Sequence, residues 1–347
     1  MSKGKKILVD SIKTVVFLSI GVLLIWLVVK NLTEKDKAEI LNSFNQANLG
    51  IVVLIMLLGI LSNVSRAIRW QIMIEPLGHK PGFANTLMAV MVGYLANLAV
   101  LRSGEVSRCG VIKRYENLPF DSVFGTVVVE RIIDTLLLLI VSIITIIWQF
   151  DIIAAPLIEA YNNYLKPTQS ENALTLKTLI ILSIFLLCIV LFLLRNKIAN
   201  SKIGIKITGV LKGFSVGLKT ITKLKKPYLF IFHSILIWVI YFAGIYVGFK
   251  SLPETSSLGA GAALAILFFG TFAFILVQGG IGAYQIIVQN TLVIYGVSAN
   301  VGYALGWIVW SSQTFAIIIG GLISFIILPL INKNKYGLST SNTAKNN

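Results

Sequence analysis

Asn97–Asp134 reads NLAVLRSGEVSRCGVIKRYENLPFDSVFGTVVVERIID. Arg102, Glu105, Arg108, Arg131 and Asp134 all lie here, in or against strongly apolar sequence. A charge at the centre of a bilayer costs at least about 2.5–3.5 kcal/mol, so an ionisable residue inside a membrane marks a functional site by default. The fold therefore turns on whether this stretch is in a membrane, and on which side it enters.

The surrounding chain answers the first question. Of 347 residues, 56% are hydrophobic and only 13% charged, which is too apolar for an ordinary soluble domain. Several runs reach the roughly 20 apolar residues that cross a bilayer, so the chain is expected to be an all-α, polytopic membrane protein. The net charge of +16 is concentrated in a few segments and reports orientation and contact with anionic lipid rather than nucleic acid. The two cysteines, Cys109 and Cys188, lie in or near apolar sequence and suggest neither a disulfide framework nor a metal site. After the basic start MSKGKK, the run Ile12–Val29 is too long for a signal peptide's apolar region and reads as a retained helix.

Further runs cover Leu49 to about Val64, Phe83–Leu101, Val123–Ile147, Leu174–Leu194, Tyr228–Phe249, 258–298 and Tyr303–Ile331. That makes eight hydrophobic segments in a single integral domain, 1–347, with 1–149 as its first half and 174–331 as its second. Arg66, Arg69, Trp70 and Met73 share one helix face and read as an interfacial anchor, a Trp with snorkelling arginines. Residues 195–226 hold nine Lys and Arg without one acidic residue, with apolar residues at helical spacing between them. This is a basic amphipathic linker against an anionic leaflet. Residues 332–347 are a polar tail. His79 is expected to be solvated and His233 to be a satisfied buried histidine.

The positive-inside rule places the N-terminus, 195–226 and the tail in the cytoplasm of a cell inner membrane protein, with loops 31–48 and 150–173 outside. Parity then constrains the rest. The run Val123–Ile147 must start inside, so Phe83–Leu101 begins and ends on the cytoplasmic side. We expect a re-entrant hairpin there, turning at Arg102-Ser103-Gly104. The second half gives the same result with the sign reversed, with 258–298 turning at Gln278-Gly279-Gly280-Ile281-Gly282; two full spans there would also satisfy parity. The expected plan is six spanning helices plus two re-entrant hairpins in an inverted repeat, a common transporter architecture.

Irregular backbone at that depth must be packed in protein or line a wet cavity. Spacing allows Glu105 to meet Arg108, and Arg131 to meet Asp134, on single helix faces. These pairs either serve only to make charges tolerable in lipid, or they line a net-positive cavity for an anionic headgroup, for which the planar fork of Arg is suited. The candidate substrate-binding residues are Arg102, Glu105, Arg108, Arg131, Asp134 and Asn97, with Gln278, Gly279, Gly280 and Gly282 opposing them. No catalytic set, cofactor motif or metal-ligand cluster stands out in the sequence.

The motif N-L-x-x-x-R-x-G-E-x-x-R (Asn97–Arg108), followed by T-V-V-V-E-R-I-I-D (Thr126–Asp134), resembles the flippase-like integral membrane family, the lysylphosphatidylglycerol synthase transmembrane region. R-A-I-R-W (Arg66–Trp70) and G-G-I-G (Gly279–Gly282) extend the resemblance over nearly the whole chain. Val100 and Leu101 stand where family members often have Pro, and Gln285 stands about where many have Glu, which bears on ion or proton coupling. The resemblance implies lipid translocation, with aminoacylated phosphatidylglycerol as the best-known cargo. It does not imply synthesis, which bifunctional members perform with a soluble domain. The resemblance therefore leads us to expect the branch of small membrane proteins without this domain. Similar membrane regions in glycosyltransferases make a polyprenyl-phosphate lipid another candidate cargo. The expected function is translocation or binding of an anionic phospholipid or lipid-phosphate headgroup. Two alternatives stay open: a membrane transferase using Glu105 or Asp134 as base, and a non-transporting partner of a synthase or glycosyltransferase.

Overall fold

The computed structural model describes residues 19, 22–23, 25–100, 103–150, 152 and 223–333. Arg102, the run Leu174–Leu194, nearly all of the 195–226 linker and the tail beyond 333 lie outside the described residues. Every regular element among the described residues is helical.

Residues 31–48, expected as an external loop, instead form helix α1, Glu34–Gln46. Thr33 caps it reciprocally: its hydroxyl accepts from the Asp36 amide, and the Asp36 carboxylate accepts from the Thr33 amide. This capping box satisfies donors that the first turn would otherwise leave bare. Helix α2 (Leu49–Ile74) follows, capped by the Asn48 side chain. Helices α3 (Phe83–Ala99) and α4 (Ser103–Glu116) fold against each other, and α5 (Phe120–Trp148) leads away. The second half repeats this order with α6 (Pro227–Gly248), the packed pair α7 (Ala260–Leu276) and α8 (Ala283–Ile294), and α9 (Ala299–Ile331). Helices α2 and α6 share the most extensive contact between the halves.

Segments Leu49–Leu77, Pro227–Ser251 and Ala299–Ile331 are each long and apolar enough to cross a membrane. The paired helices are shorter. At 1.5 Å per residue, α3 and α7 reach about 25 Å, α4 about 21 Å and α8 about 18 Å, against a hydrocarbon core of roughly 30 Å.

The turn of each pair has a local cause. In the first, α3 stops at Val100, whose backbone is extended. The Asn97 side chain then accepts from the Gly104 amide at 2.7 Å, and the Ser103 hydroxyl donates back to the Ala96 carbonyl at 2.8 Å. Gly93 and Gly104 let the two arms touch backbone to backbone, since a Cβ on Gly104 would strike the Gly93 carbonyl. In the second, α7 stops at the extended Val277, and Gly279, Gly280 and Gly282 adopt φ of 64°, 69° and 75°. Only glycine takes this left-handed conformation without strain.

Set side by side at these turns, the two first arms share five residues. Gly82, Leu87, Gly93, Ala96 and Val100 recur as Gly259, Leu264, Gly270, Ala273 and Val277. Each pair is separated by 177 positions (259 − 82 = 277 − 100). Both first arms are 17 residues long, begin after a glycine N-cap and end at a valine. The two turns meet: the Gln278 amide donates to the Asn97 and Leu98 carbonyls at 3.2 and 3.3 Å.

Candidate functional site: a buried ion network beside an amphipathic cavity

Helices α2, α4 and α5 bring five charged side chains into one buried network. From α2, Arg66 donates to Glu130 at 2.7 Å and to Asp134 at 3.1 Å. Arg69, one turn on, donates to Asp134 at 2.6 Å and to Glu130 at 2.8 Å. From α4, Arg108 donates to the other Glu130 oxygen at 2.8 Å. Glu130 and Asp134 are four apart on α5 and present both carboxylates to the same face. Tyr241 and Ser234 of α6 complete the shell: the Tyr241 hydroxyl meets Arg66 at 2.9 Å and the Ser234 hydroxyl meets Arg69 at 3.4 Å. Arg69 and Glu130 are both 0% exposed. Three guanidinium groups face two carboxylates, which leaves one positive charge in the network.

This corrects two expectations. Arg66, Arg69 and Trp70 are not an interfacial anchor; Trp70 is buried, with its indole N–H on Thr126 at 2.9 Å and the Arg108 guanidinium 4.7 Å from its ring centre. Nor do the charges pair within their own helices. Glu105 pairs with Arg131 at 2.7 Å, Arg108 with Glu130, and Asp134 with Arg66 and Arg69. Glu130, the hub, was missed by sequence reasoning. Its partners lie on other helices, where periodicity within one helix gives no signal. The available clue was that α2 offers two arginines three apart and α5 two carboxylates four apart.

Beside the network lies a cavity of about 710 Å³. Its lining includes the polar and charged residues Asn63, Arg66, Asn97, Glu105, Arg131 and Asp134 and the apolar residues Leu138, Trp238, Phe274, Ile275, Leu276 and Ile317. Gln278 and Gly279 reach it from the second turn. Arg131 is the more open cation of this lining, its side chain 47% exposed, whereas those of Arg66 and, in the network, Arg108 are each 5% exposed. Six of the expected site residues thus converge: Asn97, Glu105, Arg131, Asp134, Gln278 and Gly279. Arg108 is turned into the network, and Gly280 and Gly282 shape the turn rather than the wall. His233 is held by Ser65, its Nδ1 2.9 Å from the hydroxyl. No group of three or more His, Cys, Asp or Glu side chains among the described residues is placed to hold a metal ion.

Apolar helices of bilayer length, a helical fold and a buried ion network define a multi-pass membrane protein. The chain belongs to the family described as the lysylphosphatidylglycerol synthase TM region, whose sequence profile matches residues 12–326. Two curated relatives match shorter segments. A UPF0104 membrane protein of Methanocaldococcus jannaschii is 33% identical over 98 residues, which is 27% of this chain and 29% of that protein. Glycosyltransferase AglD of Haloferax volcanii is 26% identical over 102 residues, 29% of this chain and 16% of that protein. The chain therefore spans less than a third of the length of either relative. No solved structure matches it.

Proposed function

We propose that the protein binds an anionic phospholipid or lipid-phosphate headgroup in this cavity and moves it across a cell inner membrane. The observation that carries the reading is that one cavity is lined both by charged side chains, with Arg131 the most open cation, and by apolar ones, which suits an amphiphile whose phosphate meets Arg131 while its chains lie along Leu138, Phe274 and Ile317. The surplus positive charge of the adjoining network favours an anion there. Glu105 holds the Arg131 fork in place and tempers its grip, as release requires.

In this reading both packed pairs are re-entrant. They enter from opposite faces, with the termini in the cytoplasm, and their tips meet near the midplane, as in transporters built from inverted repeats. Their sub-bilayer lengths and the meeting of Gln278 with the end of α3 support this. The match to a segment of a glycosyltransferase favours a second reading, that the protein serves or holds a glycosyltransferase acting on a lipid-linked sugar.

Reconstitution into liposomes tests the primary reading. Wild-type protein should equilibrate a fluorescent anionic phospholipid between leaflets, and Arg131→Ala should abolish this while the variant still elutes as folded protein. Normal movement by Arg131→Ala would remove the proposed role of the cavity. Copurification with a glycosyltransferase and no lipid movement would favour the second reading.

A further inference from the structure

We infer that Asn63 forms a second, uncharged station for the headgroup at the middle of the membrane, one helical turn from the ion network. The inference rests on the translocation reading and deepens it. Arg131 holds the anion at rest, and Asn63 receives it in passage.

Gly59, Asn63 and Arg66 are four and three residues apart on α2 and share one face. Asn63 and Arg66 line the cavity. Gln313 of α9, also in the lining, lies over Gly59, where a Cβ would collide with its side-chain oxygen. Polar lining thus runs about 10 Å along α2, past the charged residues. Asn63 is within two residues of the midpoint of α2, and Arg66 is about 4.5 Å beyond it toward the C-terminal end. Arg131 falls three residues before the midpoint of α5, residue 134, on the side where α5 begins. In the orientation proposed above, both arginines are therefore on the cytoplasmic side of the middle.

The side chain itself is open. Other polar side chains nearby are tied across helices: Ser65 meets His233 at 2.9 Å, the Gln313 amide donates to the Ile55 carbonyl at 3.1 Å, and Asn97 accepts from the Gly104 amide at 2.7 Å. Asn63 is only 6% exposed, yet its amide has no hydrogen-bond partner among the described residues. The unpartnered side-chain oxygen of Gln278 is sealed in protein, whereas the Asn63 amide keeps accessible surface. Buried polar groups are almost always paired, and an Asn that served only helix packing would bond to a neighbouring helix. With nothing fixing it, this amide can turn its donors toward a phosphate oxygen. A charge is most costly at the bilayer centre, so a donor there lowers the barrier where it is highest. Being uncharged, it does not trap the anion, and passage needs sites weak enough to leave.

Rate and affinity separate the two stations. Phosphatidylglycerol would be titrated into purified full-length protein by native mass spectrometry, and its fluorescent analogue followed between the leaflets of liposomes. Asn63→Leu keeps a side chain of similar shape and removes the amide. It should leave affinity at its wild-type value and slow movement at least about tenfold, the loss of one hydrogen bond to a charged group at the barrier. Asn63→Ser, which keeps a hydroxyl, should recover most of that rate. Movement at the wild-type rate by Asn63→Leu would overturn the station and leave the Arg131 site standing. Equal slowing in both variants would assign Asn63 to packing and likewise overturn it. Affinity falling in step with rate would make Asn63 part of the Arg131 site and overturn a separate station. Wild-type protein that moves no lipid would overturn the inference together with the reading beneath it.

Discussion

Glu130 accepts hydrogen bonds from Arg66, Arg69 and Arg108 while wholly buried. Its two oxygens are what make three buried guanidinium groups tolerable. Removing one partner of a buried ion pair costs about 3–5 kcal/mol, because the charges left behind stay desolvated. Glu130→Gln, which keeps the shape and deletes the charge, should destabilise the purified protein by about that amount in thermal unfolding. Arg131→Ala, which breaks only the half-exposed pair with Glu105, should cost about 1 kcal/mol or less. Equal melting temperatures for Glu130→Gln and wild type would mean that the network does not hold the fold. Arg131, Glu105 and Asp134 could be picked out from sequence because charges in an apolar run are conspicuous. Arg66 and Arg69 read as an anchor from spacing alone, since snorkelling and burial share one helical spacing, and only the opposing carboxylates of α5 separate the two.

At the level of elements, the first turn depends on the Gly93–Gly104 approach. A Cβ on Gly104 would meet backbone, the Gly93 carbonyl, which has no flexible end to yield. Gly104→Ala should therefore destabilise by about 1–3 kcal/mol, as overpacking does. Gly110→Ala, on the same helix with nothing within 4 Å, should be neutral or stabilise by up to about 1 kcal/mol. Indistinguishable melting temperatures for these two variants would dispose of the clamp.

The cap of α1 makes a prediction about pH. Asp36 is held down to about 2 by the hydrogen bond from Thr33 and then that from Asn300. A carboxylate depressed in the folded state contributes stability above its ordinary value near 3.8, and that contribution is lost as pH falls toward 2. An environment-sensitive dye at Leu41→Cys, an exposed position on α1, should report undocking in that window. The transition should vanish in Asp36→Asn. The segment reads as a loop by polarity alone; the T-x-x-D cap was the missed sign of a helix.

Over the whole molecule, the long helices of the two halves end on each other's packed pairs. Asn332, just past α9, exchanges amide hydrogen bonds with Asn85 at the start of α3, at 2.8 and 3.0 Å. Gln149, just past α5, accepts from the Tyr295 hydroxyl, just past α8, at 2.8 Å. A double-mutant cycle of Asn85→Ala and Asn332→Ala should show a coupling of about 0.5–3 kcal/mol; strict additivity would mean that this tie is idle. Topology is tested by labelling single cysteines placed between 108 and 118, which the hairpin reading puts within reach from the cytoplasm. Labelling from outside alone would refute the first re-entrant hairpin.

Hydropathy and charge by themselves determined that this chain is a helical membrane protein, and where α3, α5 and the second turn fall. Those are properties of contiguous residues, written in periodicity, run length and glycine placement. Tertiary structure alone decided which charges pair, that Arg66 and Arg69 belong to the core, and that Glu130 is their hub. Pairing across helices depends on which faces meet, and three helices separated by dozens of residues set that jointly. The five residues shared at a spacing of 177 stand between the two. They were present in the letters, but five matches among nineteen positions acquire meaning only when both segments stop at the same kind of turn.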